Sequence, residues 1–157
     1  MMSTSQTIIQ SISFQLKLAA AVTIGFGAII LLGAHPTTDI VLRFVSSFIF
    51  LAPFDTAARI INDDGTLLSA ILGGVMIGWG AMIWQVTQHV LPENPGLAKR
   101  LILPPLILWF ITDSAASLVS AAPFNAVLNV AFFAMFLLPL FRIRTMPQEM
   151  PRGTVTG

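Results

Sequence analysis

The sequence predicts an all-α integral membrane protein: a four-helix transmembrane bundle with one extra short interfacial or re-entrant amphipathic helix. Three observations predict it. Only 10% of the 157 residues are charged, 8 Lys or Arg and 7 Asp or Glu, against about 25% in an ordinary soluble domain. Hydrophobic residues make up 55% and mean hydropathy is +0.85; a chain this small leaves too much of its surface in water to hide them. The apolar residues also gather into blocks of bilayer length. The same hydrophobicity excludes a disordered chain, and the absence of cysteine excludes a disulfide scaffold. A net charge of +1 gives no reason to expect a nucleic-acid partner.

Residues 1–13 are polar and uncharged apart from scattered Ile, and are expected to form a partly ordered leader. Residues 14–141 then make a single membrane domain. Its first block, Phe14–Ala34, is about 31 Å of helix at ~1.5 Å per residue, against a hydrocarbon core of about 30 Å. It is long for a signal peptide and lacks a good cleavage site, so an uncleaved span over 14–34 is expected.

The second block, Ile40–Ala52, gives only about 20 Å of helix and falls short of a span. Asp39, Arg43 and Ser46 recur on one stripe, with Val41, Leu42, Phe44, Val45, Phe48, Ile49 and Leu51 on the rest. That pattern predicts an amphipathic helix over 39–52, lying on or dipping into the membrane, with Asp39 paired to Arg43. Pro53 ends it, and Asp55 is placed to cap a short helix reaching Ile61.

Further spans are expected over 66–91, 98–121 and 124–141, separated by the turn cluster Pro92–Gly96 and by Pro123. Pro104 and Pro105 predict a kink or an irregular first turn in the third span. The break at Pro123 is so short that the last two spans form an antiparallel hairpin. Residues 142–157 form a polar tail. Four spans put Lys17, Lys99, Arg100, Arg142, Arg144 and Arg152 on one side, and most of the acidic residues on the other. The positive-inside rule then predicts cytoplasmic termini.

Two stripes are able to carry function. On the third span, helical spacing aligns Trp109, Asp113, Ser117 and Ser120, and on the fourth it aligns Asn125, Asn129, Phe132 and Phe136. Folding the hairpin at Pro123 pairs Ser120 with Asn125 and Ser117 with Asn129. An intramembrane carboxylate is costly against lipid and points to the bundle interior. Asp113, Ser117, Ser120, Asn125 and Asn129 are therefore the candidate polar site. They read either as a proton or cation site or as hydrogen-bonded glue between helices. The second stripe is the GxxxG pair Gly74 and Gly78, with Ala21 and Gly25 as a matching small face, expected to serve helix packing or, alternatively, a dimer seam.

His35 and His89 fall on opposite faces and match no ligand spacing, so no metal and no cofactor is expected. Hydrolase, zinc-protease, Walker and dinucleotide motifs are absent. One carboxylate without a histidine or second acid makes no acid–base pair, and the chain is not expected to be an enzyme. In size and layout it resembles small multi-pass proteins of bacterial inner membranes, a likeness that implies a plasma-membrane location and no activity. The expected role is a non-catalytic accessory or scaffold component, with a bilayer around it and a second copy or another membrane protein as partner. The alternative is a small proton- or ion-coupled transporter or channel using Asp113.

Overall fold

The computed structural model describes residues 4–35, 37–51, 53 and 63–143. Among them are five α-helices: α1 Thr4–Leu32, α2 Asp39–Phe50, α3 Asp63–Gln85, α4 Pro95–Val119 and α5 Pro123–Arg142. A π-helical turn, Val86–Val90, continues α3. The segments Ser5–Leu32, Gly65–Val90, Pro95–Val119 and Pro123–Arg142 are long and apolar enough to cross a membrane. The short helix expected to reach Ile61 lies outside the described residues.

Polarity does not sort by depth as it does in a water-soluble protein: apolar residues fill the core and also cover the outside. Thr23, Ser69, Thr87, Ser117 and Asn129 are buried, whereas Phe14, Leu67, Leu108, Val119 and Leu138 point outward. Val119 is 89% exposed. Burying hydroxyls is inexpensive where the helix backbone satisfies them: Thr23 Oγ1 donates to the Ala19 carbonyl at 3.0 Å and Ser69 Oγ to that of Gly65 at 2.8 Å. An apolar surface this continuous is unfavourable in water and neutral in lipid.

The expected polar leader is helical from Thr4 onward. Its sparse apolar residues explain this, since Ile8, Ile12 and Leu16 follow at helical spacing and face inward. Ile12 and Leu16 are fully buried, and Ile8 packs against the same core. Arg142, at the end of α5, donates to Ser11 Oγ at 3.3 Å and to Gln15 Oε1 at 3.1 Å.

α1 and α3 are the most closely packed pair, and glycine makes that possible. A Cβ on Gly27 would lie 2.9 Å from the Gly73 carbonyl oxygen, and one on Gly80 would lie 3.0 Å from that of Ala20. The expected packing role of Gly74, Gly78, Ala21 and Gly25 within the chain is thereby corrected. Nothing lies within 4 Å of a Cβ on Gly74, Gly78 or Gly25, and all four residues are exposed. The seam repeats every seven residues (Ala20 and Gly27, Gly73 and Gly80), as near-antiparallel helices require. The four-residue spacing of the GxxxG falls on the neighbouring, outward face.

α4 and α5 form the antiparallel hairpin, joined by the stacked rings of Phe110 and Phe133 at 4.5 Å. α2 lies across the ends of α1 and α5, where Phe48 meets Phe124 edge-on at 4.6 Å. Its Asp39 and Arg43 pair, with Arg43 Nε 3.0 Å from Asp39 Oδ2. Asn94 caps α4 by accepting from Leu97 N at 2.9 Å, with Pro95 next to it. A kink or an irregular first turn was expected at Pro104 and Pro105; the early start places both well inside the helix, which excludes the irregular first turn. α4 continues through both, although neither supplies an amide proton to the preceding turn.

The packed core occupies one half of the bundle. Ile12, Leu16, Ala20, Ile83, Leu91, Ala98, Ile102, Leu106, Phe136 and Leu140 all lie toward the end that holds the termini. At that end the π turn meets α4; farther along, α3 and α4 hardly approach each other. The other half of the bundle is therefore hollow.

Candidate functional site

The space left between α3 and α4 is a cavity of about 290 Å³. Each wall follows from local periodicity. Leu72, Val75, Met76 and Trp79 line the cavity from α3, on a different face from Gly73 and Gly80, and Leu72 and Val75 remain exposed. Trp109 and Asp113 stand one turn apart on α4, and Asn125, Asn129 and Phe132 on α5. Phe26 and Ile30 of α1 and Ile49 of α2 line the remaining side. Trp79 and Trp109, with ring centroids 5.3 Å apart, bridge the gap between α3 and α4, and Trp79 also meets Phe136 at 6.2 Å.

The polar end of the cavity is a ladder between α4 and α5. Ser117 Oγ donates to the Asp113 carbonyl at 2.7 Å, which uses its only proton. Its oxygen is then left to accept from Asn125 Nδ2 at 2.8 Å. This fixes the direction of the Asn125 amide. One turn deeper, Asn129 Nδ2 donates to Ser114 Oγ at 3.3 Å. Asn129 and Ser117 are buried, and Asp113 is half-buried.

The pairing register differs from the expected one by a helical turn. Asn125 meets Ser117 where Ser120 was expected, and Asn129 meets Ser114 where Ser117 was expected. The chain reverses at Ala121, whose φ of 55° places it in the left-handed region, and Pro123 already belongs to α5. Ala122 N donates back to the Ser117 carbonyl at 2.9 Å and Ala121 N to that of Leu118 at 3.2 Å, a Schellman ending. Ser120 consequently sits above the ladder, exposed and outside the site.

Asp113 is the one charged residue among the described residues that line the cavity. Its carboxylate makes no ion pair or hydrogen bond with a described side chain, and the described ion pair joins Arg43 to Asp39. The second-half walls below it are aromatic and aliphatic. Among the described residues no three His, Cys, Asp or Glu side chains come together, and His35 Nδ1 is engaged by Thr37 Oγ1 at 2.8 Å.

Three contributors were not singled out from the sequence. Ser114 is masked by its place beside Asp113, off the expected stripe. Trp79 and Phe26 lie on helices far from the polar residues in sequence. The spacing of Leu72, Val75, Met76 and Trp79 was the available signal for the third wall. No protein-family model, curated protein or solved structure matches the chain.

Proposed function

We propose that the chain is a multi-pass protein of the plasma membrane, of the bacterial inner-membrane kind, with both termini in the cytoplasm and a non-catalytic accessory or scaffold role. The observation that carries this reading is the use to which the intramembrane polar groups are put. Ser114, Ser117, Asn125 and Asn129 bond to one another or to backbone between α4 and α5. They work as interhelical glue. No second described acid or histidine stands near Asp113 to share a proton with it. Lys17, Lys99, Arg100 and Arg142 lie toward the end of the bundle that holds the termini, the distribution that the positive-inside rule associates with a cytoplasmic face. A role of this kind calls for a second copy or another membrane protein as partner.

A second reading, a small proton- or ion-coupled transporter or channel, is favoured by one feature: the Asp113 carboxylate lines open space. The absence of native cysteine provides the test. Single cysteines at positions 113, 117 and 129 are challenged in intact cells with a membrane-impermeant thiol reagent, with 37 and 99 as controls for the two faces. Labelling at 37 alone supports the accessory reading. Labelling at 117 and 129 supports a water-filled route, and labelling at 99 overturns the orientation.

A further inference from the structure

We propose that the cavity between α3 and α4 is a binding site for a small amphiphilic organic cation, an ammonium or similar head carried on an apolar or aromatic body. The proposal concerns binding and holds for either reading above; it rests only on the four long helices forming a bundle in the membrane.

Size limits the occupant first. About 290 Å³ stands at the low end of small-molecule pockets, roughly 300–1,000 Å³. It suits a compact ligand better than a whole lipid. Chemistry then selects the head. The carboxylate of Asp113 is held in an apolar chamber with no described cation beside it. An ammonium head seated there would pair with that carboxylate. The amides of Asn125 and Asn129 point a proton at Ser117 and Ser114, which leaves their carbonyl oxygens to accept from a ligand donor. One turn from Asp113 on the same helix, Trp109 meets Trp79 at 5.3 Å, and Phe132 and Phe26 meet at 5.5 Å. Aromatic faces attract cations and also accommodate an apolar body. Carboxylate and π faces lining one cavity thus favour the same ligand, a cation too apolar to prefer water.

A purely apolar occupant, such as a lipid chain, would use the walls and leave Asp113 unanswered. The two are separated by a pair of ligands of nearly identical shape, benzyltrimethylammonium and its neutral carbon isostere neopentylbenzene. Tryptophan emission of the full chain in detergent micelles reports binding, in a Trp84→Phe background so that only Trp79 and Trp109 emit. The cation is expected to shift the emission saturably, with an affinity at least tenfold above that of the isostere. Asp113→Asn should remove that preference and leave isostere binding unchanged. Val75→Phe, which narrows the cavity from α3 without adding an emitter, should abolish both responses with helix content intact. Equal or tighter binding of the isostere to the unmutated site overturns the proposal in favour of an apolar occupant. A cation preference that survives Asp113→Asn, or cation binding that survives Val75→Phe, overturns it as well. Failure of the membrane reading would show separately, as a chain that stays dispersed and helical without detergent.

Discussion

Gly27 and Gly73 face each other across α1 and α3 so closely that a Cβ added to either would stand 2.9 or 2.7 Å from the other's carbonyl oxygen. The clash is with backbone, which cannot swing aside. Gly27→Ala and Gly73→Ala are each expected to destabilise the bundle by about 1–3 kcal/mol, the usual cost of overpacking. Gly80→Ala should follow, since its Cβ would meet Ile24 Cγ1 at 2.7 Å. Gly74→Ala and Gly78→Ala should be neutral or stabilising by up to about 1 kcal/mol, because they add helix propensity in open space. Equilibrium unfolding in mixed micelles measures all five.

Within the α4–α5 ladder, the Ser117–Asn125 bond is the interaction with the most constrained geometry. A double-mutant cycle with Ser117→Ala and Asn125→Ala should give a coupling of about 0.6 kcal/mol, and no more than about 1.7, as for other interhelical bonds in membranes. Ser120→Ala, on an exposed residue outside the ladder, should be silent. Coupling between Ser120 and Asn125 instead would restore the register expected from folding at Pro123.

The difference between those two registers shows what the sequence could and could not reveal. Long apolar blocks and turn residues made the four long apolar helices and the amphipathic helix legible, because length and period are local properties. The reversal at Ala121 was not legible. It depends on a left-handed alanine, whereas Pro123, the conspicuous breaker, opens α5 at a position where proline is welcome. The glycine seam was hidden in a similar way. GxxxG is easy to see at Gly74 and Gly78, but which stripe of α3 meets α1 is set by tertiary packing. Asp113, Asn125 and Asn129 were legible as polar groups inside apolar helices; the aromatic residues Phe26 and Trp79 come from α1 and α3, far from them in sequence, and only the spacing on α3 hinted at that wall.

Ala121 itself carries a prediction. A non-glycine residue with φ of 55° suffers a Cβ–carbonyl clash costing roughly 1–2 kcal/mol. Glycine removes that strain but adds freedom to the unfolded chain, worth about 0.4–1 kcal/mol in the other direction. Ala121→Gly should therefore raise stability by up to about 1 kcal/mol and leave the Ser117–Asn125 coupling unchanged. Thermal unfolding in micelles decides it: a lower midpoint would mean that the turn is not held in the left-handed region.

The first turns of α1 provide the last prediction. A polar leader carries no packing energy, yet Ile12 is fully buried among Leu16, Leu91 and Leu140 in the packed half of the bundle. If those turns belong to the core, Ile12→Ala opens a cavity and costs about 2–5 kcal/mol, as for any buried isoleucine. Ser11 and Gln15 hold the same stretch to Arg142 from the polar side. Arg142→Ala should leave the core filled and act locally, speeding amide hydrogen exchange in the first turns of α1 while exchange in α3 stays unchanged. A leader independent of the bundle would reverse this pattern: Ile12→Ala would be silent in unfolding experiments, and the early amides would exchange freely even with Arg142 in place.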